Sequence, residues 1–142
     1  MRNRDTNPNA LLWHNLFKSN ENEIEGIVKN GILIMEYEKL QAKDYLDKYA
    51  FSTKIKNYNA LVVNKGKVNS LFFNSHFDPN LHDLMCSFIM SPNQSWYVSF
   101  YSPTIDCSEL AKSFGGGGHK GAAGYSSTTL PFSLPSPGFL ED

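Results

Sequence analysis

Cysteine is scarce in this chain: two in 142 residues, Cys86 and Cys107, with no partner spacing for a zinc site and too few for a disulfide framework. Both lie in apolar settings, Cys86 strand-like and Cys107 pre-helical, and read as buried free thiols of a reducing cytosol. No apolar stretch is long enough to span a bilayer, and Met1-Arg2-Asn3-Arg4-Asp5 lacks the apolar core of a signal peptide. A membrane partner is therefore not expected, and a cytoplasmic location is. Net charge is also missing. A formal balance of −1 provides no global basic field to hold long nucleic acid, so any such contact must be local. The length excludes two ordinary domains and leaves room for one domain with its own core plus a helical arm.

With 41% hydrophobic residues the chain has the composition of a globular protein. Asn7-Pro8-Asn9 reads as a turn that caps a short helix from Ala10 to about Phe17, with Leu11, Leu12, Leu16 and Phe17 on one face beside part of Trp13. From Asn22 to about Tyr49, Ile24, Ile27, Val28, Gly31, Met35, Leu40 and Leu46 recur with the period of a long amphipathic helix. Gly31 is either a close-contact point or a break between two helices. From Phe51 to Ile55 the pattern alternates as in a half-buried strand, Tyr58-Asn59 turns the chain, and Ala60 to Val63 is a strand covered on both faces. Val68 to Phe73 reads as a short helix and Leu84 to Met90 as a strand, followed by a turn at Ser91 to Gln94. Trp96, Val98 and Phe100 mark the clearest strand. Asp106 or Ser108 is an N-cap for a helix from Glu109 to Phe114. Gly121 to about Thr128 passes from a helical turn into a last strand. These elements predict an α/β fold with a mixed sheet: a helical arm over 1–49, a domain over 50–130 and a Pro-rich tail over 131–142.

The stretch that carries chemistry is Ser113-Phe114-Gly115-Gly116-Gly117-Gly118-His119-Lys120-Gly121-Ala122-Ala123-Gly124. Four consecutive glycines let successive N–H groups point into one hollow, and a His and a Lys follow at once. Such a row of donors suits an anion, phosphate above all. Pinned between Phe114 and a small-residue Ala-Ala-Gly segment, it does not read as a solvated linker.

Together with Asp106-Cys107-Ser108-Glu109-Leu110-Ala111-Lys112, this run resembles the signature of the DHHA1 domain, the substrate-binding half of the DHH phosphoesterase superfamily. The resemblance implies a DHHA1-like mixed sheet flanked by helices, with the Asn22–Tyr49 helix as the connector from a catalytic domain. It also implies that Gly115, Gly116, Gly117, Gly118 and His119 hold a nucleotide or short oligonucleotide phosphate, with Lys120 either adding charge or simply solvated. Two departures matter. Where relatives carry an Arg at the end of the preceding strand, in a Ser-Leu-Arg-Ser-like run, this chain has Ser99-Phe100-Tyr101-Ser102. Loss of a bidentate phosphate donor weakens anion affinity by about 1.5–3 kcal/mol. Tyr101 is either a base-stacking replacement or an ordinary strand residue. The chain also has no Asp-His-His triplet, nor the aspartates that would hold paired Mn²⁺ or Mg²⁺.

His76-Phe77-Asp78-Pro79-Asn80-Leu81-His82-Asp83 offers a second constellation, dense enough in His76, Asp78, His82 and Asp83 to invite a metal, although turn residues of this kind normally cap backbone groups. Trp13-His14, on an apolar helix, reads as packing. The expected function is a nucleotide- or oligonucleotide-binding module that needs no cofactor of its own, with Mn²⁺ or Mg²⁺ entering only through a DHH domain. Its helical arm is expected to meet a second copy or a DHH catalytic partner. The alternatives are a phosphodiesterase acting through His76, Asp78, His82 and Asp83 or with a partner in trans, and a protein that sequesters a nucleotide.

Overall fold

The computed structural model describes residues 11–134, with the side chains of Leu12 and Trp13 outside the description. The turn expected at residues 7–9 and the packing of Trp13 therefore fall outside it. The chain divides into two compact units between Leu40 and Gln41.

Helix α1 spans Leu11–Lys18, and α2 runs unbroken over Glu21–Tyr49. A reciprocal capping pair starts α2: Asn20 Oδ1 accepts from Glu23 N–H, and Glu23 Oε2 accepts from Asn20 N–H. Gly31 neither breaks the helix nor marks a close contact, since a Cβ there would meet nothing within 4 Å. At 100° per residue Ile24, Val28 and Met35 share a stripe, and all three are exposed. Further along α2, Ala42 and Leu46 are buried in the second unit, and two i,i+4 pairs, Lys43–Asp47 at 2.7 Å and Lys48–Asp44 at 2.9 Å, line the exposed side.

The second unit is a six-stranded mixed sheet built from β1 (Ala50–Ile55), β2 (Tyr58–Asn64), β3 (Leu84–Met90), β4 (Trp96–Tyr101), β5 (Gly117–His119) and β6 (Ala122–Ser127), ordered β1-β2-β3-β4-β6-β5. The β1–β2 turn sits at Lys56-Asn57, two residues earlier than expected, with Lys56 left-handed at φ 53°, while Tyr58 and Asn59 already pair in β2. Only β2 and β3 are parallel, and a parallel pair needs a long crossover. Residues 65–83 supply it. The helix expected over Val68–Phe73 is here a single 3₁₀ turn, Ser70–Phe73.

Two cores result. On one face Ile55, Val62, Leu84, Cys86, Val98 and Phe100 pack under helix α3 (Cys107–Lys112), which contributes Leu110 and Ala111. On the other, Leu46 of α2 and Phe73 of the crossover cover Leu61, Val63 and Met85. β2 is buried on both faces, which explains its continuous apolar run; β4 is buried only on the α3 face, which explains its alternation. Each large, fully buried side chain such as Phe100 contributes roughly 1.5–3 kcal/mol. The segment after β6 is not a free tail at its start: Leu130 and Phe132 pack on the first core, Phe132 edge-on to Phe51 at 5.8 Å. Both cysteines are free and buried, and burial pushes the Cys107 thiol up to about 11.

Asp106 caps α3 by accepting from the N–H groups of Ser108 and Glu109. Hydrogen bonds from the Ser108 hydroxyl and then from Glu109 N–H hold its carboxyl below the ordinary aspartate range. A depressed folded-state pKa means stability that is present above the unfolded value and lost as pH falls through the folded one. Asp106→Ala should therefore melt below wild type at pH 7, with the difference shrinking as pH drops below the ordinary aspartate pKa of about 3.9. A difference independent of pH would contradict this origin. The Tyr125 hydroxyl is buried without a hydrogen-bond partner. Tyr125→Phe removes an unsatisfied polar group and should leave stability unchanged or raise it by about 1 kcal/mol in denaturant unfolding; a comparable loss would reveal a hidden partner.

Candidate functional site

The end of α3 determines what the glycine run becomes. Gly115 takes the left-handed conformation at φ 85°, its N–H donates to Lys112 O at 2.9 Å, and Gly116 N–H donates to Ala111 O at 2.9 Å. These two bonds form a Schellman cap. The amides of Gly115 and Gly116 are thereby spent on the helix, and the hollow of four free donors expected from the sequence does not form. Gly116 then lies so close to β6 that a Cβ would sit 2.2 Å from Gly124 O, and a Cβ on Gly118 would sit 2.6 Å from Ala123 Cα. The chain continues as edge strand β5, turns at Lys120-Gly121 and returns as β6, a hairpin where a helical turn was expected. The turn is fastened below, since Cys107 N–H donates to Lys120 O at 2.8 Å and Ser102 N–H to Gly121 O at 3.3 Å.

Gly117 differs from its neighbours. A Cβ there would meet nothing within 4 Å and its φ is not left-handed, so the fold does not require a glycine at this position.

Strand register shows what lies around it, because residues paired across a sheet share a face. One row across the sheet is Leu61, Met85, Tyr101, Ala122 and His119; the next is Val63, Ser87, Ser99, Gly124 and Gly117; a third holds Ile89, Tyr97 and Ser126. Beyond Val63, the middle row consists of small residues. It forms the floor of a trough that crosses β3, β4, β6 and β5, with Tyr101 and His119 along one side and Ile89 and Tyr97 along the other. Tyr101 and His119 stand two strands apart, about 10 Å.

At the β3 end the trough opens into a cavity of about 440 Å³, lined by Ser87, Ser99, Tyr97 and Tyr101 and by the Lys65–Val68 loop, with no carboxylate among its walls. Ser87 is 96% buried, and neither its hydroxyl nor that of Ser99 makes a hydrogen bond among the described residues. Sequence reasoning missed this floor and the two lysines because nothing in their own segments signals them; only the register through β4 and β6 joins them to Gly117.

Tyr101 does not project freely. Its hydroxyl donates to Val68 O at 2.8 Å and its ring packs near Phe73. His119 and Lys120 are exposed on the hairpin.

The second constellation does not converge. His76 Nε2 lies 2.9 Å from Asp47. His82 Nδ1 accepts from Asp78 N–H at 3.2 Å, which leaves its Nε2–H to donate to Ser52 Oγ at 3.0 Å. Asp78 Oδ1 accepts from Asn80 N–H, and Asp83 Oδ2 accepts from Asn59 N–H, each at 2.8 Å. These side chains tie the crossover to α2, β1 and β2. Among the described residues no group of three His, Cys, Asp or Glu is disposed to hold a metal, and no helix is long and apolar enough to cross a membrane.

The chain matches no family model and no curated protein. Among solved structures it is similar in fold to PggH, a pGpG-specific phosphodiesterase from Vibrio cholerae. The TM-score is 0.53 at 14% identity, over 82% of this chain and 43% of PggH. The chain therefore spans less than half of that protein's length. A weaker likeness, TM-score 0.40 at 21% identity over 60% of this chain and 23% of the other, is to an uncharacterized protein from Helicobacter pylori G27.

The glycines make a sharp prediction. Gly116→Ala should destabilise the domain strongly, because the carbonyl in its way belongs to the backbone, whereas Gly117→Ala should melt within a degree or two of wild type. Equal loss of stability in both variants would refute the assignment of separate roles.

Proposed function

We propose that this chain is the nucleotide-binding module of a DHH-type phosphoesterase, of the DHHA1 kind, and that it holds a nucleotide or short single-stranded oligonucleotide in the trough that ends at Gly117 and His119. One observation carries the reading. A carboxylate-free cavity with lysines, unpartnered serine hydroxyls and an exposed tyrosine runs, by strand register, to a glycine that the fold itself does not need. A bare backbone there lets a phosphate approach closely, and the exposed His119 imidazole beside it would supply a donor. The fold likeness to a pGpG-specific phosphodiesterase supports the ligand class.

Cleavage, in this reading, belongs to a DHH catalytic part that carries Mn²⁺ or Mg²⁺ and is joined in cis or in trans. The exposed stripe of Ile24, Val28 and Met35 on α2 is the surface through which that part, or a second copy, would dock. Lys120, at the hairpin tip, adds charge to the same end of the trough.

Calorimetry with pGpG tests the reading. Wild-type chain should bind; His119→Ala should weaken binding about tenfold or more, the loss of roughly one charged hydrogen bond, and Gly117→Ala should weaken it comparably because the added methyl keeps the phosphate off the backbone. With Mn²⁺ the chain alone should leave pGpG intact. Unchanged affinity in both variants would remove the site, and hydrolysis by the pure chain that is lost in His82→Ala would restore the metal reading of His76, Asp78, His82 and Asp83.

A further inference from the structure

The cavity end of the trough carries an assignment of its own. Its walls include two cations, and only one is free. Lys65 Nζ lies 4.2 Å from the centroid of Tyr45 and 5.8 Å from that of Phe72, a cation–π seat that leaves its ammonium engaged. Lys67 is exposed and makes no hydrogen bond, ion pair or ring contact among the described residues.

Lys67 is also held in an unusual way. Its backbone is left-handed at φ 56°, a conformation that Gly or Asn adopts at less cost than Lys. The loop is fixed on both sides of it. Gly66 packs on Ile89, where an added Cβ would come within 3.1 Å of two side-chain carbons, and Val68 O receives the Tyr101 hydroxyl at 2.8 Å. The strained residue is thus over-determined by its neighbours, as backbone strain at ligand sites commonly is. Below it Ser87, a buried residue in the cavity lining, makes no side-chain hydrogen bond among the described residues, and beside it Tyr97 is 51% exposed.

We propose that Lys67 is the phosphate-binding cation of this site. It supplies, from the β2–β3 crossover, the positive charge that the end of β4 lacks, with Tyr101 spent on holding the loop that presents it. The ligand is a nucleotide with a terminal phosphate, its ring lying on Tyr97 and its polar edge or ribose meeting Ser87 and Ser99; a bare phosphate chain would leave those groups unused. This assignment rests on the nucleotide-binding reading above and refines it.

The test compares pGpG, its unphosphorylated counterpart GpG and inorganic tripolyphosphate in calorimetry, on wild type, Lys67→Met, Lys67→Asn and His119→Ala, with melts to show that each is folded. Lys67→Met should weaken pGpG binding about tenfold or more and leave GpG unchanged. Lys67→Asn should lose the same affinity while melting no lower than wild type, because Asn tolerates the left-handed backbone. If both Lys67 variants bind pGpG as wild type does while His119→Ala does not, the Lys67 assignment falls and the nucleotide site stands. Tripolyphosphate bound as tightly as pGpG would overturn the base-bearing ligand class. If wild type binds neither pGpG nor GpG, both readings fail together.

Discussion

The cap at the end of α3 is the constraint from which the site follows. With Gly115 left-handed and two amides returned to the helix, the chain leaves α3 aimed at the edge of the sheet. There Gly116 slides against Gly124 O with no room for a side chain. That close approach permits β5 to pair with β6 as the outermost strand. A bulky residue at 116 would push the hairpin off, and the row that sets Gly117 beside Gly124 and Ser99 would be lost. The glycine run is therefore a structural joint for most of its length, and at Gly117 it leaves open space where the fold does not require a glycine.

Much of the architecture is legible in the residues themselves. The unbroken apolar run of β2 and the alternation of β4 forecast which strand is covered on two faces and which on one, and Asp106 announces the start of α3. The long helix also follows from its period. Register and crossover geometry were not legible. Nothing local in Lys65, Lys67, Ser87 or Tyr97 relates them to a glycine strand later in the sequence, because that relation is set by the parallel β2–β3 pair and the insertion of β6 between β4 and β5. The glycine run misled in a specific way: its composition suited an open row of donors, whereas helix capping and strand pairing took up those groups first. The His76–Asp83 segment follows its turn chemistry instead of its density of ligand-type side chains, which serve to fasten a long crossover.

The trade at the end of β4 links fold to function. A tyrosine stands there, and its hydroxyl reaches Val68 rather than a ligand. In the proposed binding mode the site has as its cation a flexible lysine ammonium, which attracts phosphate without the bidentate geometry of a guanidinium. Its selectivity then rests more on the aromatic wall and the serine floor. In that proposed mode the ligand has a ring to stack and hydroxyls or base edges to pair.

The central claim is that the trough from Lys67 to His119 is where this chain meets its ligand. Titrating isotope-labelled protein with pGpG while following backbone amide shifts tests it most directly. The account predicts perturbations along Lys65–Val68, Ser87, Tyr97–Tyr101 and Gly117–His119, with the α3-face core quiet. Shifts confined to His76–Asp83, or no shifts at saturating nucleotide, would contradict it.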